Sequence, residues 1–266
     1  MSKRAAVIAT GWVGDTIICS SVANALHLER DFQVDFYIKW PQLKSIFECE
    51  LNYRTLIYKD TRWGNYRLWP KLKIYDLIVK EPAFWSYREP KTVEIKKIAG
   101  CAELASYSLQ VNLQKIKTHH KKRSPSICIS RDIYKKAYGR NIDEIVAFLE
   151  RKFQINWVGL DPNKSSKKGT SSDLMDVAIT MLSSDCFFGP EGGMLWLAGG
   201  IGVKTIYLTE HIANWKPLDP IGDPWKSLGL VNYFPSEDHV ALPPYCNNEE
   251  VLVAIEKAIL KWNFVP

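Results

Sequence analysis

The fold is decided by residues 5–16, which read Ala5-Ala6-Val7-Ile8-Ala9-Thr10-Gly11-Trp12-Val13-Gly14-Asp15-Thr16. The apolar residues Ala5–Ile8 predict a short strand, and the segment Thr16–Leu26 has the pattern of a helix. Glycines between them let the backbone approach a ligand without a Cβ in the way. The start of the helix offers unpaired N–H groups to a phosphate or carboxylate. Strand, glycine turn and helix in this order are typical of the first unit of a nucleotide-binding α/β domain.

Asp15 lies where this helix is predicted to begin, and it has two interpretations. It either caps the helix or acts as a base facing a cleft. The pattern Gly-x-x-Gly-Asp is neither the dinucleotide fingerprint nor a P-loop, since no Lys-Ser/Thr pair follows the second glycine. Taken alone, the motif favours the cap.

Composition sets limits on the class of protein. The chain has 266 residues, of which 46% are hydrophobic, and this suits two α/β halves with sizeable cores. The net charge of +6, with 10 Trp and 12 Tyr, favours a polyanionic partner. Apolar runs are short and the N-terminus lacks a signal-peptide pattern, so we expect a cytoplasmic protein without a membrane span. The 6 cysteines form no Cys-x-x-Cys pair, which predicts free thiols and no metal site.

Short apolar strands alternate with helices along both halves, which predicts mainly parallel sheets. Beyond Ala5–Ile8, strands are predicted at Val34–Ile38, Thr55–Tyr58, Tyr75–Val79, Ser126–Ser130, Ile155–Gly159, Cys186–Phe188 and Lys204–Leu208. Further helices are predicted near Gln42–Phe47 and over Asn141–Lys152, Leu174–Leu182 and Asn248–Trp262. The last helix is expected to bury one face formed by Val251, Leu252, Ile255, Ile259 and Leu260. A basic, proline-marked segment predicts domains at 1–118 and 127–266 joined by a linker at 119–126.

A second informative segment runs from Asp185 to Leu208. A strand is followed by Glu191, Gly192 and Gly193, then by a helix of small residues, a glycine turn and another strand. An acidic residue at the end of a strand can accept hydrogen bonds from sugar hydroxyls. The glycine amides and the helix start can hold a diphosphate. The alternative is an ordinary crossover whose glycines allow close helix packing.

The two motifs together resemble glycosyltransferase family 9, the lipopolysaccharide heptosyltransferase type. That family opens with a strand, a Gly-Asp turn and a helix, which Gly14-Asp15 matches. It closes with an Asp-Ser-Gly-x-x-His-Leu-Ala-x-x-x-Gly-x-Pro pattern, matched here by residues 191–198 and 202–204. Glu191 stands in place of the family's Asp, Gly192 of Ser or Thr, Trp196 of His and Lys204 of Pro.

The resemblance implies a GT-B fold, in which two Rossmann-like domains with mainly parallel sheets face a cleft. It also implies an inverting transfer from a nucleotide-sugar donor to an acceptor hydroxyl, with the donor bound by the C-terminal half. Asp15 would be the catalytic base, and a cation after the strand ending at Ser130 would steady the leaving diphosphate. The predicted donor-binding residues are Gly14, Arg131, Lys135, Glu191, Gly192, Gly193 and Met194, with Lys136 a further candidate cation. No Asp-x-Asp metal motif appears, so we expect metal-independent transfer without a cofactor other than the donor.

The acceptor site is predicted from Trp12 in the first glycine turn and from two stretches rich in arginine and aromatic residues. Its candidate residues are Trp12, Arg62, Trp63, Arg67, Trp85 and Arg88. Such stretches suit sugars, bases and phosphates, or are surface loops pinned by aromatic packing. The composition leans towards DNA with hydroxymethylated bases, the acceptor of certain bacteriophage enzymes. Alternatives are transfer to lipopolysaccharide core, a non-catalytic nucleotide- or glycan-binding protein and, more remotely, a Rossmann oxidoreductase.

Overall fold

A computed structural model describes residues 2–11, 13–48, 52–59, 68–81, 99–100, 125–135, 140–159, 174–208, 238–242 and 246–263. In the first half the elements are β1 (Arg4–Ile8), α1 (Val13–Arg30), β2 (Gln33–Ile38), α2 (Lys44–Phe47), β3 (Tyr53–Ile57) and β4 (Leu77–Lys80). The second half contains β5 (Ser126–Ser130), α3 (Ile142–Glu150), β6 (Gln154–Val158), α4 (Leu174–Leu182), β7 (Cys186–Pro190), α5 (Gly193–Gly200), β8 (Thr205–Leu208), β9 (His239–Leu242) and α6 (Asn248–Lys261). Short 3-10 turns precede α2 at Pro41–Leu43 and follow β5 at Arg131–Tyr134.

The strands form two parallel sheets, with the orders β3-β2-β1-β4 and β6-β5-β7-β8-β9. The prediction of an α/β chain with parallel sheets is therefore confirmed. β1 lies between two partners, with Val7 paired to Phe36 on one side and to Val79 on the other. Because both faces of such a strand are covered by helices, residues 5–8 of β1 are all apolar and all buried, and only Arg4 at its start is charged.

The predicted strands agree with the structure to within two residues at each end, whereas three other features differ. Helix α1 begins at Val13 and ends at Arg30, whereas Thr16–Leu26 was predicted, so Gly14 and Asp15 lie within its first turn. Strand β9 was not predicted. The expected apolar face of α6 is wrong at Leu260, which is 74% exposed, while Val251, Ile255, Ala258 and Ile259 form the buried face.

Helix ends follow the capping rules. The Asn141 side chain accepts a hydrogen bond from the Glu144 amide at the start of α3. Asn247 and Glu250 form a reciprocal capping box at the start of α6. The predicted buried face of α3, formed by Ile142, Ile145, Val146 and Leu149, is confirmed. Each of these buried aliphatic side chains contributes on the order of 1.5–3 kcal/mol through burial.

One apolar core joins the two halves of the chain. It contains residues of β1, β2 and α1 from the first half together with residues of α4 and α5 from the second. A separate core under the second sheet is formed mainly by β5, α3 and α6. The starts of α1 and α5 are consequently held against each other, and this contact positions the candidate site.

The described cysteines Cys19, Cys128, Cys186 and Cys246 are free thiols, as expected. Within the described ranges, no helix combines the length and apolar character needed to cross a bilayer. The linker predicted at 119–126 lies mostly outside the described residues, although Ser126 is already the first residue of β5. The domain boundaries stay a prediction.

Candidate functional site

The turn after β1 is held by side chains from neighbouring strands. The Ala9 carbonyl accepts a hydrogen bond from the Tyr58 hydroxyl at 3.0 Å. The Gly11 carbonyl accepts one from the Trp40 indole N–H at 2.8 Å. Because Trp40 and Tyr58 lie just beyond β2 and β3, the edge of the sheet fixes the path of this turn.

Glu81, directly after β4, supplies the strongest contacts to the turn. Its carboxylate oxygen Oε2 accepts hydrogen bonds from the amides of Thr10 and Gly11, each at 2.7 Å. The residue is 4% exposed, and its own amide donates to the Ile8 carbonyl at 2.9 Å. Hydrogen bonds to a charged acceptor are shorter and stronger than neutral ones. Glu81 is not among the residues predicted from the sequence, where its only signal is an acidic residue directly after an apolar strand.

Asp15 occupies the third position of α1, so it is not the residue that caps the helix. A carboxylate in the first turn is still stabilised by the helix dipole. A Cβ built on Gly11 would overlap the Glu81 Oε1 atom and would lie 2.8 Å from Asp15 Oδ2. Only a glycine therefore fits between these two carboxylates, which explains the first glycine of the motif.

The turn after β7 is built from backbone rather than side chains. The Glu191 amide donates to the Leu208 carbonyl at 2.9 Å, which continues the pairing of β7 with β8. Gly192 then caps α5 with φ 151° and ψ −169°, a conformation essentially restricted to glycine. The helix starts at Gly193, so the amides of Gly193 and Met194 are among the first-turn N–H groups that have no intrahelical acceptor. Such groups with a glycine cap suit an anionic ligand.

The structure brings the two glycine motifs together. A Cβ on Gly14 would lie 2.9 Å from Trp196 Cδ1 and 3.5 Å from the Gly193 Cα atom. A Cβ on Gly193 would lie 3.3 Å from the Val13 Cβ atom. The positive ends of two helices, one from each half, thus meet beside Asp15. Trp196 is 7% exposed and packs into this contact.

The two candidate cations after β5 that the structure describes, Arg131 and Lys135, have different surroundings. The Arg131 guanidinium lies over the Trp157 ring, 5.3 Å from its centroid, and the Tyr134 ring stacks on the same Trp157. The Lys135 ammonium forms an ion pair with Asp132 at 3.2 Å, and its side chain is 57% exposed. Arg131 is therefore anchored at the sheet edge, whereas Lys135 is a solvated residue of the turn.

β5 and β7 are neighbours in the second sheet, and a Cβ on Gly189 would approach the Ser130 Cβ to 3.0 Å. Arg131 and Glu191, which follow these strands, therefore lie along the same edge of the sheet.

Part of the predicted site falls outside the described residues. This applies to the candidate acceptor residues Trp12, Arg62, Trp63, Arg67, Trp85 and Arg88, and to Lys136. Among the residues that are described, no group of three or more His, Cys, Asp or Glu side chains is arranged to hold a metal ion.

Two Rossmann-like parallel sheets, joined through glycine-rich helix starts, define the GT-B fold of glycosyltransferases. Solved structures of the family 9 type are similar to this chain over nearly its whole length. A glycosyltransferase family 9 protein from Veillonella parvula matches with a TM-score of 0.63 and 11% identity, over 97% of this chain and 97% of that one. The ADP-heptose lipopolysaccharide heptosyltransferase II of E. coli matches with a TM-score of 0.60 and 11% identity, over 98% and 99% of the two chains.

A third solved structure, E. coli heptosyltransferase WaaC with ADP-2-deoxy-2-fluoro heptose, matches with a TM-score of 0.57 and 11% identity, over 97% of this chain and 99% of that one. No family model matches the chain, and no curated protein matches its sequence. At such identities the likeness establishes the shared fold.

Proposed function

We propose that this chain is an inverting, metal-independent glycosyltransferase that moves a sugar from a nucleotide-sugar donor to a hydroxyl of a polyanionic acceptor. The observation that carries the proposal is the packing of Gly14, the residue before Asp15, against Gly193 at the start of α5. A helix turn that carries a carboxylate in one half therefore adjoins the first-turn amides of a helix in the other half. These are the two groups that glycosyl transfer requires.

The proposed step is a single displacement. The acceptor hydroxyl oxygen attacks the anomeric carbon, and the bond from that carbon to the donor's diphosphate breaks. The proton of the hydroxyl passes to the Asp15 carboxylate, while the bonding electron pair leaves with the nucleoside diphosphate. Attack opposite the leaving group inverts the configuration at the anomeric carbon.

The donor would be held along the edge of the second sheet. The amides of Gly193 and Met194 direct dipoles at the diphosphate, and the absence of a side chain at Gly192 leaves room for it. Gly14 acts indirectly, because its missing side chain lets α1 approach Trp196 and Gly193. Arg131 supplies a positive charge at the same edge, and Glu191 accepts hydrogen bonds from donor hydroxyls. Lys135, already paired with Asp132, contributes least.

The proposal extends to the identity of the acceptor. The net charge of +6 supports a polyanion. The stretches around Trp63 and Trp85 support DNA with hydroxymethylated bases, which implies a phage-type DNA-modifying enzyme that flips the base out of the duplex. The name of the E. coli neighbour, a lipopolysaccharide heptosyltransferase, supports lipopolysaccharide core as the second acceptor.

A non-catalytic role in nucleotide or glycan binding is the second candidate function. It is favoured by one observation, that Trp196 fills the position of the family's His with a buried apolar ring. Under this alternative the start of α5 binds a nucleotide, and no sugar is transferred.

A pooled transfer assay read by mass spectrometry separates these functions. The protein is mixed with ADP-, UDP-, GDP- and dTDP-sugars and with two acceptors, hydroxymethylcytosine duplex DNA and truncated lipopolysaccharide core. We expect a pentose or hexose mass on the DNA nucleosides, unchanged by EDTA. A gain on the core oligosaccharide alone would identify the second acceptor. Loss of transfer with EDTA would contradict metal independence, and nucleotide binding without transfer would favour the non-catalytic alternative.

A further inference from the structure

Glu81 is a buried acidic residue that the proposed reaction does not use directly. It is 4% exposed and follows β4, while the amides that it binds follow β1. The amides of Thr10 and Gly11 are consecutive, and both point at the same carboxylate oxygen. Two successive amides aimed at one point form a small anion-binding nest, which the Glu81 side chain fills. The path of the turn therefore depends on the carboxylate.

The same turn fixes the place of Asp15. Gly11 lies between the two carboxylates, because a Cβ there would overlap Glu81 Oε1 and approach Asp15 Oδ2 to 2.8 Å. The hydrogen bond from the Gly11 amide to Glu81 fixes the position of Gly11, and the Asp15 carboxylate lies directly beside that residue. A change in this turn would move Asp15 relative to the start of α5, and a displacement of 1 Å at a reacting group is enough to slow a reaction roughly 100-fold.

We propose that Glu81 is a positioning residue, which holds the Thr10–Gly11 turn so that the Asp15 carboxylate faces the donor bound at α5. The proposal rests on the proposed glycosyl transfer for its effect on turnover. Its effect on the turn itself can be measured without any substrate.

The test compares Glu81→Ala and Glu81→Gln with a control at the other end of the same strand pair. Glu81→Gln keeps an oxygen that accepts from both amides. The control is Asp76→Asn, because Asp76 precedes β4 and its carboxylate accepts from the Arg4 amide of β1 at 2.8 Å. The first readout is hydrogen exchange of the Thr10 and Gly11 amides, followed by NMR. We expect exchange at least about tenfold faster in Glu81→Ala and near the wild-type rate in the other two.

The second readout is turnover with the donor and acceptor that the pooled assay identifies. We expect kcat to fall about 100-fold in Glu81→Ala, with donor Kd within about twofold of wild type, and to stay within about fivefold in Glu81→Gln and Asp76→Asn. Glu81→Asp, whose shorter side chain cannot reach both amides, carries the test if Glu81→Ala fails to fold. It should show faster exchange and about tenfold lower kcat.

Three results would overturn the proposal: unchanged exchange in Glu81→Ala, equal losses in Glu81→Gln and Glu81→Ala, or a comparable loss in Asp76→Asn. Absence of transfer by the wild-type protein would instead overturn the proposed function, and the exchange rates would still decide whether Glu81 holds the turn.

Discussion

The turns after β1 and after β7 meet at the contact between the two halves, but they are built in different ways. The first is fixed by side chains, with Trp40, Tyr58 and Glu81 satisfying its backbone groups, and it places a carboxylate in the first turn of α1. The second is made possible by the glycine-only conformation of Gly192, and it places backbone amides at the start of α5. The difference shows how one site can combine two kinds of group. The first half supplies a carboxylate held in place by side chains, and the second supplies backbone amides that an anion can approach closely.

The largest expected effect comes from removing the carboxylate of the first turn. Under the proposed mechanism, Asp15→Asn should lower kcat about 100- to 10,000-fold, because the proton of the attacking hydroxyl loses its acceptor. Donor Kd, measured by calorimetry, should stay within about twofold. Asp31→Asn is the control, since Asp31 lies just after α1 with φ 53°, a conformation that Asn tolerates well. Equal kcat in Asp15→Asn and wild type would remove Asp15 from the mechanism.

The turn after β7 should lose donor affinity when a side chain at position 192 disfavours its backbone conformation. Gly192→Ala forces a side chain into φ 151° and should cost about 1–3 kcal/mol of stability, with donor affinity reduced roughly tenfold. Gly202→Ala is the matched control, because Gly202 has φ 79° and no atom within 4 Å of an added Cβ. It should lose about 1–2 kcal/mol without weakening donor binding. Equal donor affinities in the two variants would mean that the Gly192 turn does not bind the donor.

The contact between the two turns can be tested separately. Gly14→Ala places a Cβ 2.9 Å from Trp196 Cδ1 and should destabilise the fold by about 1–3 kcal/mol through overpacking. In a Trp196→Leu background the same change should cost less, since the opposing ring is gone and Ala favours the helix. Urea unfolding of the four proteins in this double-mutant cycle gives the coupling. A coupling of zero would mean that the two helix starts do not pack as described.

Protonation of His239, in the edge strand β9 of the second sheet, should lower the stability of the fold without changing the two turns. Burial lowers the pKa of His239 to about 4, against the opposing effect of the Asp238 charge. Its side chain shares a hydrogen bond of 2.8 Å with Thr205. Between pH 6.5 and 4 the unfolded chain binds a proton that the folded chain does not, so stability should fall as the pH drops through this window. From pH 7 to pH 5 we expect a loss of about 1–2 kcal/mol, absent in His239→Gln. An unchanged slope in His239→Gln would assign the effect to another group.

The smallest expected effects are those of Arg131 and Lys135 on nucleoside diphosphate binding, and they should differ from each other. Arg131→Ala should weaken nucleoside diphosphate binding about tenfold, because a charge fixed at the sheet edge is lost. Lys135→Ala should change Kd by less than about twofold, since exposed ion pairs contribute little. Calorimetric titration of both variants checks this order. A larger effect from Lys135→Ala would reverse the assignment.

The sequence predicts those parts of the fold that depend on local pattern. Runs of buried apolar residues such as Ile127–Ile129 place the strands to within two residues, and Asn141 marks the start of α3. The early start of α1 escapes prediction because Gly14 is a poor helix former whose place is set by packing on Trp196.

Glu81 escapes prediction for a related reason. Its role depends on β4 lying beside β1, and neighbouring strands in a sheet are chosen by topology rather than by any local signal. For the candidate site, the sequence predicts Asp15 and the glycines of both motifs, and their roles stay a prediction. The side chains that hold the first turn can be identified only when the order of the strands in the sheet is known.

The most direct test of the central claim, that both turns act on one donor, is hydrogen–deuterium exchange read by mass spectrometry. Peptides covering residues 9–16 and 190–197 are compared with and without ADP-, UDP-, GDP- and dTDP-sugars and the free nucleoside diphosphates. We expect at least one nucleotide sugar to slow exchange in both peptides, and its diphosphate alone to slow exchange mainly in the second peptide. Slowing confined to a single turn with every nucleotide sugar, or to neither, would contradict the central claim.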